Sequence, residues 1–141
     1  MKLGLISTLL VTLFSYNVKA IDLDVTSDDS IDSACALIAS GLMDYYWGKD
    51  YGGTIGMFTH PYYWWEAGGA FGSMIDYWYY FDNDTYNDVV IQSLLYQRGD
   101  DNNFMPLNQT TTEGNDDQVF WGIAAIQAAE RNFTNPGSQY P

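Results

Sequence analysis

Apolar residues recur every three to four positions along four stretches of the chain, and no stretch shows the sustained alternation of a β-strand. The first stretch follows Ser27 or Ser30, either of which is a suitable N-cap, and it ends near Gly48. Its apolar positions are Ile31, Ala34, Cys35, Ile38, Leu42, Tyr45 and Tyr46. The spacing predicts an amphipathic first helix.

The second predicted helix begins around residues 63–66 and runs to about Tyr80. It contains Gly68, Gly69 and Gly72, and each glycine costs a helix roughly 1 kcal/mol relative to alanine. Glycines retained at that cost indicate that the backbone comes close to something. We therefore expect this helix to lie against another helix or a ligand.

Two further helices complete the pattern. The third follows Asp84 or Thr85 and runs to about Gln97, and the fourth runs from Asn115 to near Asn132. Every helix carries an apolar face suited to packing on other helices, so the sequence predicts an all-α fold.

The predicted connections differ in length. Residues 49–61 form a glycine-rich loop and residues 98–114 a long polar loop, whereas the second and third helices are joined by a few residues only. Loops as long as 98–114 are uncommon in compact domains unless they are functional. Paired helices with alternately short and long loops fit an α-helical toroid.

Residues 1–20 read as a secretory signal, with Lys2 before an apolar run at 3–14 and a small-residue cleavage site at Ala20. Cleavage would remove Lys2 and Lys19 and move the formal net charge from −13 to −15. Such acidity excludes nucleic acid and anionic membranes as partners. Secretion agrees with three N-glycosylation sequons, at Asn83, Asn108 and Asn132.

The candidate chemistry centres on two adjacent acids, Asp116 and Asp117, where the fourth helix begins. Asn115 is the predicted N-cap and Gln118 the residue that reaches back to it, as in a capping box. The helix dipole then favours negative charge at the acids, while their proximity disfavours ionisation of both. Paired acids can act as nucleophile and acid/base in sugar chemistry, but acids are also ordinary residues of a first helical turn.

Helical spacing predicts which side chains lie beneath each acid. Asp116 lies above one set of apolar residues (Val119, Phe120, Ile123) and Asp117 above another (Phe120, Trp121, Ala124). Because both sets read as packed faces, we expect at least one acid to face a cavity.

Aromatic side chains are frequent, at 17% of the chain, and they concentrate before the second helix. Tyr63, Trp64, Trp65 and Glu66 could stack on sugar rings and bind hydroxyls, or could belong to the hydrophobic core. Four consecutive rings at 62–65 cannot all face one core, so one or two should be exposed. The polar residues around Asn103 could also bind hydroxyls, or form a solvated loop. No metal-ligand spacing or phosphate loop is present, so no metal or cofactor is expected.

Several motifs in order resemble glycoside hydrolase family 76, and in particular its fungal cell-wall members, described as mannan endo-1,6-α-mannosidases. The matching stretches are residues 21–25 (IDLDV), 61–72 (PYYWWEAGGAFG), 75–79 (IDYWY), 86–90 (YNDVV), 99–106 (GDDNNFMP), 114–118 (GNDDQ) and 120–122 (FWG).

This resemblance implies an (α/α)6 barrel and a retaining mechanism on α-1,6-linked mannose, in which Asp116 is the nucleophile and Asp117 the general acid/base, about 5–5.5 Å apart. The expected substrate-binding residues are Tyr63, Trp64, Trp65, Glu66, Asn103, Asn115 and Gln118. The implied substrate is mannan or a glycolipid-anchor glycan, and transfer to a sugar hydroxyl would cross-link mannoproteins into the wall.

The length departs from the family. A twelve-helix toroid needs at least roughly 200 residues, so this chain is expected to form only the N-terminal part of the domain, with about four helices. Residues 135–141 lack the hydrophobic tail of a lipid-anchor signal, so membrane association would require a further anchor. The alternative function is a catalytically incompetent mannan-binding or structural wall protein.

Overall fold

A computed structural model describes residues 21–138, and the predicted signal sequence lies outside them. This part of the chain contains four α-helices: α1 (Asp28–Asp44), α2 (Trp64–Phe81), α3 (Asn87–Gln97) and α4 (Asn115–Glu130). A 3₁₀ turn at Trp47–Lys49 follows α1, and the only β pairing among the described residues is one isolated bridge, Tyr46 to Phe58. The all-α prediction is confirmed. Each helix within residues 21–138 is too short or too polar to span a bilayer.

The helix boundaries follow local capping. Ser27 is the N-cap of α1, and its hydroxyl accepts a hydrogen bond from the Ser30 N–H at 3.3 Å. Helix α1 ends at Asp44, before the predicted Gly48, because the Tyr45 carbonyl accepts instead from the Thr59 N–H of the following loop.

Helices α1 and α3 both run antiparallel to α2. The end of α3 meets the start of α2, where the Trp64 indole donates to the Gln97 side-chain oxygen at 2.9 Å. The start of α3 meets the end of α2, where the Tyr77 and Tyr86 rings lie 6.4 Å apart. Residue Tyr45, just after α1, packs edge-on against Tyr62, just before α2.

Helix α4, in contrast, runs parallel to α2 along its whole length. Near their starts the Trp65 and Phe120 rings lie 4.7 Å apart, and near their ends Asp76 forms an ion pair with Arg131. The first turns of α2 and α4 therefore lie side by side.

Two glycines permit this parallel packing. A Cβ added at Gly68 would lie 2.8 Å from the Trp121 backbone nitrogen, and one added at Gly72 would lie 2.7 Å from Gln127 Oε1. The predicted close approach is thus made to another helix. Trp121 is fully buried in this seam, stacked on Trp64 with ring centroids 5.4 Å apart.

The helix directions place all long connections at one end of the bundle. Residues 45–63 and 98–114 lie at that end with the starts of α2 and α4, and we call it the loop end. The short connection 82–86 and the end of α4 lie at the opposite end, which we call the turn end. The predicted alternation of long and short connections is confirmed.

Candidate active site

The acid pair lies at the first turn of α4, at the loop end. Gly114 is the N-cap, so Asp116 and Asp117 occupy the second and third helical positions. The Asp117 Oδ2 accepts a hydrogen bond from the Gly114 N–H at 2.8 Å. The predicted cap was wrong by one residue, because Asn115 is already helical and Asp117, not Gln118, reaches back to the cap.

Glycine at the cap position has a steric reason. A Cβ at Gly114 would lie 2.5 Å from Asp116 Oδ1. A serine or asparagine cap would therefore displace the Asp116 carboxylate from its present position. Asp117 supplies the other half of a capping box, because its carboxylate satisfies the backbone N–H of the cap residue itself.

The two acids differ in their surroundings. The Asp116 side chain is exposed and its carboxylate makes no hydrogen bond within residues 21–138, whereas the Asp117 side chain is half-buried. Beneath Asp117, Trp121 and Ala124 are fully buried, as predicted. The prediction of a packed face beneath Asp116 was wrong, since the side chains there are exposed: Val119, Phe120 and Ile123.

Gln118 binds the long loop to the helix. Its Nε2 donates to the Asn103 carbonyl oxygen, while the Asn103 side chain accepts from the Met105 N–H at 3.0 Å. Next in the chain, Phe104 has a φ of 53°, a region that non-glycine residues rarely adopt, and its ring stacks on Trp121 with centroids 6.0 Å apart. These contacts hold residues 98–105 over the start of α4.

The aromatic residues at the start of α2 point in different directions. Tyr63 is 70% exposed, and Trp65 is half-buried against Phe120. Glu66 accepts from the Tyr63 N–H at 2.6 Å and so caps the helix. Tyr62 and Tyr63 are both exposed, which confirms that the aromatic run does not face a single core.

Trp64 belongs to the core, where it is only 5% exposed. Its carbonyl accepts from the Trp121 indole at 3.0 Å, and its own indole donates to Gln97, whose amide donates in turn to the Ile55 carbonyl at 2.5 Å. This buried position differs from the sugar-stacking role predicted for Trp64. One face of its ring packs on Trp121, and its indole N–H is already hydrogen-bonded. Gln97 is fully buried and positions Trp64, and its hydrogen-bond partners were not predicted from the sequence.

A third acid, Glu113, lies directly before the cap and was also missed. Both of its carboxylate oxygens are shielded from solvent and have no hydrogen-bond partner within residues 21–138. Burial raises the pKa of Glu113, and the negative charge of Asp117 raises it further. The signal in the sequence was its position beside the pair, in Glu113-Gly114-Asn115-Asp116-Asp117.

The remaining predicted residues are divided between the two ends. Asn115 is exposed at the loop end beside the acids, and the Asn108 sequon lies in the loop. The Asn83 and Asn132 sequons lie at the turn end. Among the described residues no group of His, Cys, Asp and Glu side chains is placed to hold a metal ion.

Comparisons with known proteins identify the family of the chain. The family model for glycosyl hydrolase family 76 matches residues 30–141. The chain is 59% identical over 139 residues to the mannan endo-1,6-alpha-mannosidase DCW1 of Saccharomyces cerevisiae, covering 99% of this chain and 30% of that protein. It is 62% identical over 128 residues to the DCW1 of Candida albicans, covering 91% of this chain and 28% of that protein.

A solved structure shares the fold. The crystal structure of Dfg5 from Chaetomium thermophilum in complex with glucosamine superposes with a TM-score of 0.78 at 34% identity, covering 87% of this chain and 31% of that chain. The chain thus spans about 30% of the length of the curated relatives it matches.

Proposed function

The chain belongs to glycosyl hydrolase family 76, and from this premise we propose that it acts on α-1,6-linked mannan through Asp116 and Asp117. The observation that carries the proposal is the pairing of one exposed, unengaged carboxylate with a neighbour fixed by the helix cap. Exposed aromatic rings flank the pair because the starts of α2 and α4 lie side by side.

In the proposed first step, an Asp116 oxygen attacks the anomeric carbon of a mannose residue. Asp117 donates a proton to the departing O6 oxygen, so that the glycosidic C1–O bond breaks as the bond to Asp116 forms. The hydrogen bond from Gly114 engages Oδ2 of Asp117, which leaves Oδ1 to carry the proton. The positive end of the α4 dipole stabilises the Asp116 carboxylate when it is released.

In the second step Asp117 removes a proton from water or from a sugar hydroxyl. The resulting oxygen attacks the anomeric carbon and displaces Asp116, and the configuration at that carbon is retained. Water as acceptor gives hydrolysis, and a sugar hydroxyl gives transfer of the mannosyl chain. The second outcome would join mannoproteins that carry a glycolipid-anchor glycan to the fungal wall.

Substrate binding is proposed for the exposed and half-buried residues around the pair. Tyr63 and Trp65 offer ring faces, and further polar side chains offer hydrogen bonds to hydroxyls: Glu66, Asn103, Asn115 and Gln118. We assign Trp64 to the support of this surface, since it is buried beneath it. The proposed location is the cell wall or the outer face of the plasma membrane, reached by secretion.

One set of experiments with an α-1,6-mannan oligosaccharide as substrate can test both the retention of anomeric configuration and the roles of the two acids. Asp116→Ala and Asp117→Ala should each lower turnover by roughly 10²–10⁴-fold, while Asp101→Ala, an exposed loop acid, should not. Added azide should then yield a glycosyl azide of inverted configuration from Asp116→Ala and of retained configuration from Asp117→Ala. Unchanged turnover in Asp116→Ala would refute the nucleophile assignment.

A second candidate is a mannan-binding wall protein without turnover. It is favoured by the open surface around Asp116, where Val119 and Ile123 are both about half exposed. Retention of the protein on immobilised mannan, with no release of reducing ends from soluble mannan, would support this candidate over the enzyme.

A further inference from the structure

One groove of the described chain lies apart from the acid pair. It has a volume of about 810 Å³, within the range of roughly 300–1,000 Å³ typical of ligand sites. It lies between the end of α3, the first long loop and the second long loop. The lining residues that matter here are Ile55, Tyr96, Arg98, Asp100, Leu107 and Asn108.

The neck of the second long loop separates this groove from the acids. Gly99 has a φ of 72°, and a Cβ there would lie 2.9 Å from the Met105 carbonyl oxygen, so the loop closes tightly on itself. Asn103, at the tip of the closed segment, is bound by Gln118 on the side of the acids. The groove is lined instead by residues of the neck and by residues 106–108.

The lining of this groove differs from that of the other grooves around the bundle. Two of those, beside α1 and α2, are almost wholly apolar, whereas this one combines an apolar floor with polar groups. Ile55 and Leu107 supply apolar surface, Tyr96 is 56% exposed, and Arg98 and Asp100 add one positive and one negative charge to the lining. A sugar chain has this double character, with C–H faces that pack on rings and hydroxyls that bind charged groups.

We propose that this groove is a second oligosaccharide-binding site. It holds one segment of a mannan chain while the acids act on a different segment of the same chain. The choice of ligand rests on the proposed function. Two contacts on one polymer would raise its effective concentration at the acids without adding a contact to the reacting sugar.

The test is calorimetric titration of α-1,6-linked mannotetraose into protein carrying Asp116→Asn, after enzymatic removal of N-glycans. The Asp116→Asn substitution prevents turnover, and the removal of N-glycans takes any carbohydrate on Asn108 away from the groove. Two binding events are expected. Tyr96→Ala and Asp100→Ala should each weaken one of them about tenfold, the equivalent of one good polar or aromatic contact.

The matched controls are exposed residues that do not line the groove. Tyr51→Ala removes a fully exposed ring and Asp101→Ala the neighbouring exposed acid, and neither should change the titration. Because Asp100 is exposed, its replacement tests the site even if Tyr96→Ala lowers stability. A single binding event, or identical curves for all four variants, would overturn the proposal. Neither result would bear on the acids, whose failure would show as wild-type turnover by Asp116→Asn.

Discussion

The two ends of the bundle are built differently. At the loop end, three residues of one short segment, Gly99, Asn102 and Phe104, have positive φ angles, and the exposed acid lies beside exposed aromatic rings. At the turn end, a connection of only five residues joins α2 to α3, and Arg131 lies over the Tyr79 and Tyr80 rings, 4.8 and 5.2 Å from their centroids. Positive φ angles also occur at the turn end, at Asp82 and Asn132. The two ends therefore differ in the length of their connections and in the exposed acid beside aromatic rings, and not in backbone geometry.

This difference indicates which parts of the bundle support the proposed site. Strained or exposed arrangements persist only where the surrounding structure fixes them. Here the fixing elements are the buried seam of α2 and α4 and the hydrogen bonds of Gln97 beneath the loop end. We therefore expect substitutions in these supports to affect both stability and activity, and substitutions at the turn end to affect stability slightly.

The largest effect is expected from Gln97→Leu. It leaves the Trp64 indole N–H and the Ile55 carbonyl buried without partners, which should lower the free energy of unfolding by roughly 2–4 kcal/mol. Urea unfolding followed by tryptophan fluorescence measures the change. In an acidic buffer that keeps the new carboxyl neutral, Gln97→Glu supplies an acceptor for the Trp64 indole and an O–H donor for the Ile55 carbonyl, so its loss of stability should be smaller than that of Gln97→Leu. Equal stability of Gln97→Leu and wild-type protein would show that the hydrogen bonds of Gln97 do not support the loop end.

Gly68→Ala should come next. The added methyl group would meet the backbone and ring of Trp121 at 2.8–2.9 Å, so we expect a loss of roughly 1–3 kcal/mol from overpacking. Gly41→Ala and Gly122→Ala are matched controls, because a Cβ at either position meets nothing within 4 Å. Those two should gain up to about 1 kcal/mol from better helix propensity. A stabilised Gly68→Ala protein would show that the seam is looser than described.

Arg131→Met tests the turn end. The ion pair with Asp76 is partly exposed, so its loss should cost no more than about 1 kcal/mol. The reason is that solvent screens the pair and Met retains the apolar stem against the tyrosines. Mannan turnover should equal that of wild type. A large loss of turnover with unchanged unfolding would contradict the proposed division between the ends.

Glu113→Gln should have the smallest effect, and one that depends on pH. The raised pKa of Glu113 means that the folded protein binds this proton more tightly than the unfolded chain does. Stability is therefore lost as pH rises above the ordinary value of 4.5 and through the raised pKa of the folded protein. A glutamine does not titrate, so the variant should match wild type near pH 4 and melt on the order of 2 °C higher at pH 7. A difference that did not change with pH would rule out burial of the charge as its cause.

Much of the fold was predictable from the sequence. The period of apolar residues located all four helices, and Gly68 and Gly72 indicated a close contact before any neighbour was known. These features are local, since they depend on spacing and backbone freedom within one segment. The loop lengths then implied which helix ends lie together.

The details of the site were less predictable because they depend on neighbours distant in sequence. Asn115 looked like the better cap, and only the position of the Asp116 carboxylate explains why Gly114 occupies that place. Within a run of four aromatic residues, the sequence alone does not show that Trp64 is buried and Trp65 only half-buried. The burial of Gln97 is fixed by Trp64 and Ile55, 33 and 42 residues away in the chain.

The parallel seam has a consequence for engineering. Gly68 and Gly72 let α4 pack closely on α2, and this contact lies outside the connection between α3 and α4. Residues 107–112 are mostly exposed and lie outside the segment bound by Gln118. Foreign loops of other lengths grafted there should leave the acid pair in register, which makes this stretch a natural site for varying acceptor selectivity.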